Sequence, residues 1–333
     1  MNFVNEDIVT LNRVSITNLL PEIGPEEVVN EIVAGLRLSP KQISSKFLYN
    51  KEGSILFEEI TRLKEYYPTR TEKAILVSIA PDLMQRYADY EIVELGPGDP
   101  SKISILLKAA SGQDLTNIRY LPLDISQPAL QNSARELVSI FPKLHVEGYA
   151  VDFFSQFESI KRERPALICF FGSTIGNFEW QDSLELLQNI SKQMKKGDAL
   201  LLGMDLVKPE SVLHLAYNDA RGVTREFNLN ILNSVNDLIQ SDFHTKDFDH
   251  LAFFNQEKSR IEMHLVAKHN LLVHSPYFDK ALKLEAGEAI HTENSHKYSH
   301  GHIREITDLT GLQLKHTHTD PRDWFALTEL QKV

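Results

Sequence analysis

Two glycines, Gly96 and Gly98, follow an apolar run of residues 92–95 that includes Glu94. The run has the character of a buried strand, and glycines at its end would let the backbone approach a ligand closely with positive φ. Ligands of parallel α/β sheets bind beyond the carboxyl ends of the strands. The pattern is Gly-x-Gly and lacks the third glycine of the dinucleotide fingerprint, because Ser101 occupies that position. It indicates either a nucleotide-like ligand or an ordinary turn.

Two acids stand at the ends of the next predicted strands. Asp124 ends the strand of residues 118–124, where a carboxylate suits ribose hydroxyls. Asp152 follows the strand of residues 144–151, where it suits the adenine amino group, and Phe153 suits the adenine face. Each acid could instead cap the helix that follows it. Three such strand ends in series favour the nucleotide cofactor.

The fourth predicted strand, residues 166–171, leads into a polar turn. Gly172 and Gly176 imply tight backbone geometry there. Asn177 offers both a donor and an acceptor, which suits the ammonium and carboxylate of an amino acid. Alternatively, Asn177 only caps the next helix.

Strands and helices alternate from about residue 91 to 206, which predicts an α/β fold with a parallel sheet. Thr71 is a good N-cap for a helix that precedes this region. Residues from about 207 to 290 change character and predict a separate lobe, and the last two strands predict a hairpin at the sheet edge. We therefore expect one domain of residues 72–206 plus 296–333 and a second of residues 10–71 plus 207–295.

Composition limits the partners. The 333-residue chain carries a net charge of −11 and has no basic cluster, so we expect no nucleic-acid partner. Its longest apolar runs are far short of the ~20 residues that span a membrane. The one cysteine, Cys169, lies among apolar residues, and we expect a cytoplasmic monomer. The histidines near residues 291–302 lack metal-site spacing, so we expect no metal.

The chain resembles the histidine Nα-methyltransferase family of ergothioneine biosynthesis, in register from about residue 40 to residue 330. Six segments carry the resemblance: Glu65–Arg70 (EYYPTR), Phe171–Asn177 (FGSTIGN), Asp205–Lys208 (DLVK), Ala216–Thr224 (AYNDARGVT), Arg260–Met263 (RIEM) and Thr292–Ser295 (TENS). The resemblance implies a Rossmann-like methyltransferase domain with a second, mixed α/β substrate-binding lobe. It implies the conversion of L-histidine to its Nα-trimethyl derivative, hercynine, with S-adenosylmethionine as methyl donor.

The resemblance also implies roles for individual residues. The expected catalytic residues are Tyr49, Tyr66, Asn177 and Tyr217. The expected substrate contacts are Phe57, Tyr66, Gly172, Asn177, Tyr217, Met263, Glu293 and Ser295, with Glu293 and Ser295 on the imidazole. The expected cofactor contacts are Glu94, Gly96, Gly98, Lys102, Asp124, Asp152, Phe153, Gly172 and Ser173. The glycine turn departs from the family at residues 97–100.

Other functions are weighed against this one. The same fold could methylate another amine, such as tryptophan, but an indole has one donor and would leave Glu293 or Ser295 unpaired. The missing third glycine speaks against a nucleotide-dependent oxidoreductase. Without the resemblance, the tyrosines would be interpreted as core aromatics. A non-catalytic amino-acid sensor would keep the same pocket.

Overall fold

The computed structural model describes residues 13–20, 24–110 and 115–333. Its helices are α1 Pro25–Arg37, α2 Lys51–Arg62, α3 Pro68–Arg86, α4 Ile103–Ala109, α5 Gln127–Ile140, α6 Phe153–Gln156, α7 Trp180–Gln193, α8 Glu210–Tyr217, α9 Val223–Ile239 and α10 His300–Thr310. Its strands are β1 Val14–Asn18, β2 Lys41–Gln42, β3 Glu91–Leu95, β4 Arg119–Asp124, β5 His145–Ala150, β6 Ala166–Phe170, β7 Ala199–Asp205, β8 Phe248–Asn255, β9 Arg260–Ala267, β10 Leu271–Val273, β11 Leu282–Leu284, β12 Ala289–His296, β13 Gln313–Thr319 and β14 Phe325–Gln331.

An eight-stranded sheet forms the larger layer, in the order β1-β5-β4-β3-β6-β7-β14-β13. Strands β1 and β3 to β7 pair in parallel, while β14 is antiparallel to both β7 and β13. Strands β3, β6 and β7 are buried along their whole length, as apolar runs covered by helices on both faces should be. The predicted parallel α/β fold and its terminal hairpin are confirmed. The strand order reverses between β3 and β6, which places the glycine turn at the switch point of the sheet.

Two predictions near the amino terminus were wrong. We expected residues 10–71 to belong to the second lobe, but β1 pairs with β5 in the large sheet. Residues 10–12 lie outside the described residues. We also expected Thr71 to be the N-cap of α3, whereas α3 begins at Pro68, whose missing N–H suits a first turn. Thr71 therefore lies inside the helix and donates its hydroxyl to the Tyr67 carbonyl.

The second lobe is built on a four-stranded sheet in the order β2-β12-β9-β8. Its apolar core joins side chains between Val29 and Tyr67 to others between Leu213 and Ile290, two segments distant in sequence. Strand β12 was absent from the sequence prediction, because its residues Thr292–Ser295 are polar although they are buried. Polar side chains in a buried strand are costly unless they are paired or bind a ligand, and this strand positions much of the candidate site.

Candidate active site

The glycine turn leaves open space above its backbone. Gly96 and Gly98 have φ of 59° and 53°, and a Cβ built on either would meet nothing within 4 Å. Left-handed backbone therefore explains the glycines, and the open space could admit a ligand. Glu94 lies below, only 2% exposed, and accepts a hydrogen bond of 2.5 Å from the Tyr120 hydroxyl. Burial raises the pKa of Glu94 to about 8.

The two acids at the next strand ends behave differently. Asp124 does not cap α5, because the side chain of Ser126 does so by accepting the Ala129 N–H. Asp124 Oδ1 accepts the Ser126 N–H at 2.9 Å, and burial raises the pKa of Asp124. Asp152 is the N-cap of α6 and accepts from the Phe154 N–H and the Ser155 hydroxyl. The capping interpretation therefore holds for Asp152, and its contact with adenine stays a prediction.

Lys102, a predicted cofactor contact, is held by a carboxylate that sequence reasoning missed. Its ammonium lies 2.7 Å from the completely buried carboxylate of Glu72, which also accepts the Gly172 N–H at 2.8 Å. Gly203 makes room for this carboxylate, because a Cβ there would lie 2.4 Å from it. Glu72 therefore ties α3 to the turn after β6. In sequence Glu72 is an ordinary acid near the start of a helix, which alone indicates nothing specific.

The turn after β6 is strained into a defined shape. Gly172 has φ of 81° and Ser173 has φ of 56°, a rare value for serine. The Ser173 hydroxyl oxygen accepts the Asp205 N–H at 2.9 Å, which joins this turn to the end of β7. Such strain persists where the surroundings enforce it and is frequent at functional sites.

Four predicted aromatic residues do come together. The rings of Tyr49 and Phe57 have centroids 5.6 Å apart, those of Phe57 and Tyr66 6.3 Å, and those of Tyr66 and Tyr217 6.3 Å. Tyr49 is 40% exposed as a whole residue, whereas its phenol group is desolvated like those of Tyr66 and Tyr217. Burial raises the pKa of Tyr49, Tyr66 and Tyr217 well above 10, and the nearby charge of Glu293 adds to each shift. These tyrosines are therefore neutral phenols at physiological pH.

Glu293 lies in β12 directly opposite Met263 of β9. Both residues are largely buried, but the Glu293 carboxylate is not among the sealed, unpartnered polar atoms of the described residues, so its oxygens keep some contact with solvent. Burial raises the pKa of Glu293 to about 7, against the opposing effect of Lys297. A carboxylate in a largely buried residue whose oxygens still reach solvent is free to accept a hydrogen bond from a ligand.

A buried polar network lies next to Glu293. Ser295 shares its strand face, because alternate residues of a strand point the same way. The Ser295 oxygen accepts from the Tyr217 hydroxyl at 2.7 Å and from the Lys297 ammonium at 2.6 Å. Lys297 also pairs with Asp205, which accepts the Tyr67 hydroxyl at 2.7 Å. Asp205 belongs to the segment Asp205–Lys208, which contributes to the family resemblance, whereas Lys297 lies in none of the segments and was not predicted.

Asn177 does not cap the next helix, since the residue before α7 is Glu179. Its side chain is instead close enough to Tyr49 to lower the pKa of that phenol against the dominant effect of burial. The carboxylate of Glu179 accepts from Arg260 at 2.7 Å and from Asn294 at 3.1 Å. These two contacts fix the Asn177 loop to the small sheet.

The histidines have separate structural surroundings. His302 completes a capping box with Ser299. The ring of His300 lies 2.8 Å from the carboxylate of Asp323, and the ring of His291 lies 2.8 Å from the side-chain oxygen of Asn294. No group of three or more metal-binding side chains occurs within residues 13–20, 24–110 and 115–333. Over the same residues, no helix is long and apolar enough to cross a membrane.

The sheet order, its reversed last strand and the glycine turn at the switch point agree with the fold expected of an S-adenosylmethionine-dependent methyltransferase. Residues 28–332 match the family described as histidine-specific methyltransferases that depend on this donor, and the chain belongs to that family.

Three relatives illustrate its range. The histidine N-alpha-methyltransferase of Mycolicibacterium smegmatis is 35% identical over 93% of this chain and 96% of its own length. Ergothioneine biosynthesis protein 1 of Neurospora crassa is 32% identical over 71% of this chain and 26% of its own length. A 4-dimethylallyltryptophan N-methyltransferase of Claviceps purpurea is 28% identical over 58% of this chain and 59% of its own length.

Proposed function

We propose that this protein transfers three methyl groups from S-adenosylmethionine to the α-nitrogen of L-histidine, making hercynine for ergothioneine biosynthesis. The observation that carries the proposal is the pair Glu293 and Ser295 on one face of β12, close to the neutral phenols of Tyr49, Tyr66 and Tyr217. A buried acceptor and a hydroxyl suit the two nitrogens of an imidazole. The names of the bacterial relatives support the same substrate.

The residues around the glycine turn fit the methyl donor. The open backbone at Gly96 and Gly98 admits a close ligand, and Asp124 at the next strand end suits the ribose hydroxyls. The remaining contacts with the methyl donor would come from Lys102, Phe153, Gly172 and Ser173. When bound, S-adenosylmethionine supplies an electrophilic methyl group attached to a sulfonium.

The substrate side is assigned to alignment and not to a strong base. Each transfer needs the lone pair of an uncharged amine in line with the methyl carbon, and alignment can contribute on the order of 7–11 kcal/mol. Asn177 and Tyr217 would orient the amino and carboxylate groups. Tyr49 and Tyr66, being neutral, would accept hydrogen bonds from the amine while its protons leave to water, and their ring faces attract the growing cationic head.

The second candidate is N-methylation of another aromatic amine. The Claviceps relative, whose name specifies a tryptophan derivative, supports it at the level of the family. Glu293 and Ser295 speak against it, because an indole has a single N–H and would leave one of the two buried groups without a partner.

A competition assay distinguishes the candidates. The protein is incubated with S-adenosylmethionine and equal concentrations of histidine, tryptophan and tyrosine, and methylated products are quantified by mass. We expect kcat/KM for histidine to exceed that for tryptophan by at least about a hundredfold, the effect of leaving buried polar groups unpaired. Comparable methylation of tryptophan would favour the second candidate, and no methylation of any of the three would refute both.

A further inference from the structure

The buried ammonium of Lys297 has no hydrogen left for a ligand. Lys297 is 1% exposed, and its Nζ lies 2.6 Å from the Ser295 oxygen, 3.1 Å from Asp205 Oδ2 and 3.2 Å from the Tyr217 oxygen. An ammonium has three donors and no acceptor. All three donors therefore have partners inside the protein, and Lys297 acts through the groups that it contacts.

Lys297 determines what the Ser295 hydroxyl can still do. The Ser295 oxygen accepts from Lys297 and also from the Tyr217 hydroxyl at 2.7 Å. A hydroxyl has two acceptor positions and one proton. With both acceptor positions filled, Ser295 can offer a ligand only its proton.

We propose that Lys297 is a positioning residue that makes the pocket select the neutral imidazole ring of its substrate. The inference rests on the proposed function, in which the ring lies between Glu293 and Ser295. A neutral imidazole has one donor nitrogen and one acceptor nitrogen, whereas imidazolium has two donors. The neutral ring can donate to Glu293 and accept from Ser295, but imidazolium would direct an N–H against the Ser295 proton.

The charged groups around Lys297 are consistent with Ser295 acting as the hydrogen-bond donor to the ring. Asp205 is held ionised, because Lys208 and Lys297 lower its pKa against the effect of burial. Burial lowers the pKa of Lys297, while Asp205 and Glu293 oppose that shift. His296 lies between Ser295 and Lys297 in sequence. Burial lowers its pKa to about 4, so the His296 side chain is neutral at about pH 5.5 and above.

Glu293 faces the same pocket, and burial raises its pKa to about 7, so at about pH 5.5 it is mostly protonated and meets a ring N–H with its carbonyl oxygen. The other ionisable groups that face the pocket are phenols. Tyr49, Tyr66 and Tyr217 stay protonated because burial raises their pKa, and the Tyr67 hydroxyl donates a hydrogen bond to Asp205. Lys297 is therefore the only ammonium that contacts Ser295 in the described part of the chain. Lys208 offers a matched control, since it is equally buried and pairs with the same Asp205 without contacting Ser295.

The test is the protonation state of bound histidine. Histidine labelled with ¹⁵N in the ring is bound together with S-adenosylhomocysteine, which has no methyl group to transfer, and its ring nitrogens are followed by NMR down to about pH 5.5. Free histidine, with a ring pKa of ~6.5, is about nine-tenths protonated there. We expect one unprotonated ring nitrogen in the wild type and in Lys208→Met.

In Lys297→Met and Ser295→Ala we expect both ring nitrogens to be protonated at about pH 5.5. Ser295→Ala removes the hydroxyl without changing a buried charge, so it decides the matter if Lys297→Met does not fold. Two protonated nitrogens in the wild type, or a neutral ring retained in the variants, would overturn the inference while leaving the proposed function intact. No histidine binding to the wild type would overturn the proposed function and the inference with it.

Discussion

Replacing Glu293 by glutamine should stabilise the ligand-free protein and weaken histidine binding at the same time. The carboxyl is 8% exposed, and burial raises its pKa from 4.5 to about 7. A raised pKa in the folded state means that ionisation opposes folding, so stability falls as the pH rises from 4.5 through 7. At about 1.36 kcal/mol per pKa unit, the difference corresponds to a cost of up to about 3 kcal/mol at pH 8.

Glutamine has nearly the same shape but no charge to bury. Thermal or urea unfolding without ligand should therefore show Glu293→Gln to be more stable than the wild type at pH 8, with the difference vanishing near pH 4.5. Histidine affinity should fall about fivefold, because a hydrogen bond to a neutral acceptor is worth roughly 1 kcal/mol less than one to a carboxylate. Binding is measured by calorimetry with S-adenosylhomocysteine present.

Glu262→Gln is the matched control on the neighbouring strand. Bonds and charge from Arg260 lower the pKa of Glu262 against the effect of burial. Its ionised form therefore stabilises the fold above pH 4.5, and the substitution should destabilise the protein at pH 8. Equal loss of stability in both variants, or unchanged histidine affinity in Glu293→Gln, would refute the reasoning.

Three further substitutions test other parts of the site. Asp124→Asn should weaken S-adenosylmethionine binding about tenfold by calorimetry, because it replaces a charged acceptor at the strand end with a neutral one; unchanged affinity would remove Asp124 from the cofactor site. Gly176→Ala places a Cβ 3.1 Å from the His296 carbonyl oxygen and should lower kcat/KM for histidine ten- to a hundredfold by displacing the adjacent loop, with cofactor affinity retained. Glu72→Gln leaves the ammonium of Lys102 without its carboxylate and should lower the free energy of unfolding by about 3 kcal/mol in urea, a result contradicted by an unchanged midpoint.

The large sheet was predictable because its strands are buried on both faces. Continuous apolar runs such as residues 166–170 and 199–204 predict such strands, and the polar strand ends between them predict the edge where a ligand binds. Strand β1 was missed because it lies at the sheet edge, where Val14–Asn18 alternates between half-buried and exposed residues and is too short to stand out.

Apart from Asn177, the substrate side was accessible only through the resemblance. Strand β12 buries Thr292–Ser295, a polar sequence that no hydrophobic pattern identifies as a strand. Glu72 and Lys297 were missed for a related reason: each is an ordinary charged residue in sequence and acquires its role from partners more than 75 positions away, Gly172 and Tyr217 respectively. Such pairings follow from the tertiary fold and leave no local signal.

The position and number of methyl groups on the product test the central claim most directly. Histidine is incubated with excess S-adenosylmethionine, and the product is analysed by mass and fragmentation. We predict three methyl groups on the α-nitrogen and none on the imidazole ring, because in the proposed function Glu293 and Ser295 would hold the ring at one end of the pocket and the tyrosines would surround the amine at the other. Methylation of a ring nitrogen, or no methylated histidine at saturating concentrations of both substrates, would contradict the account.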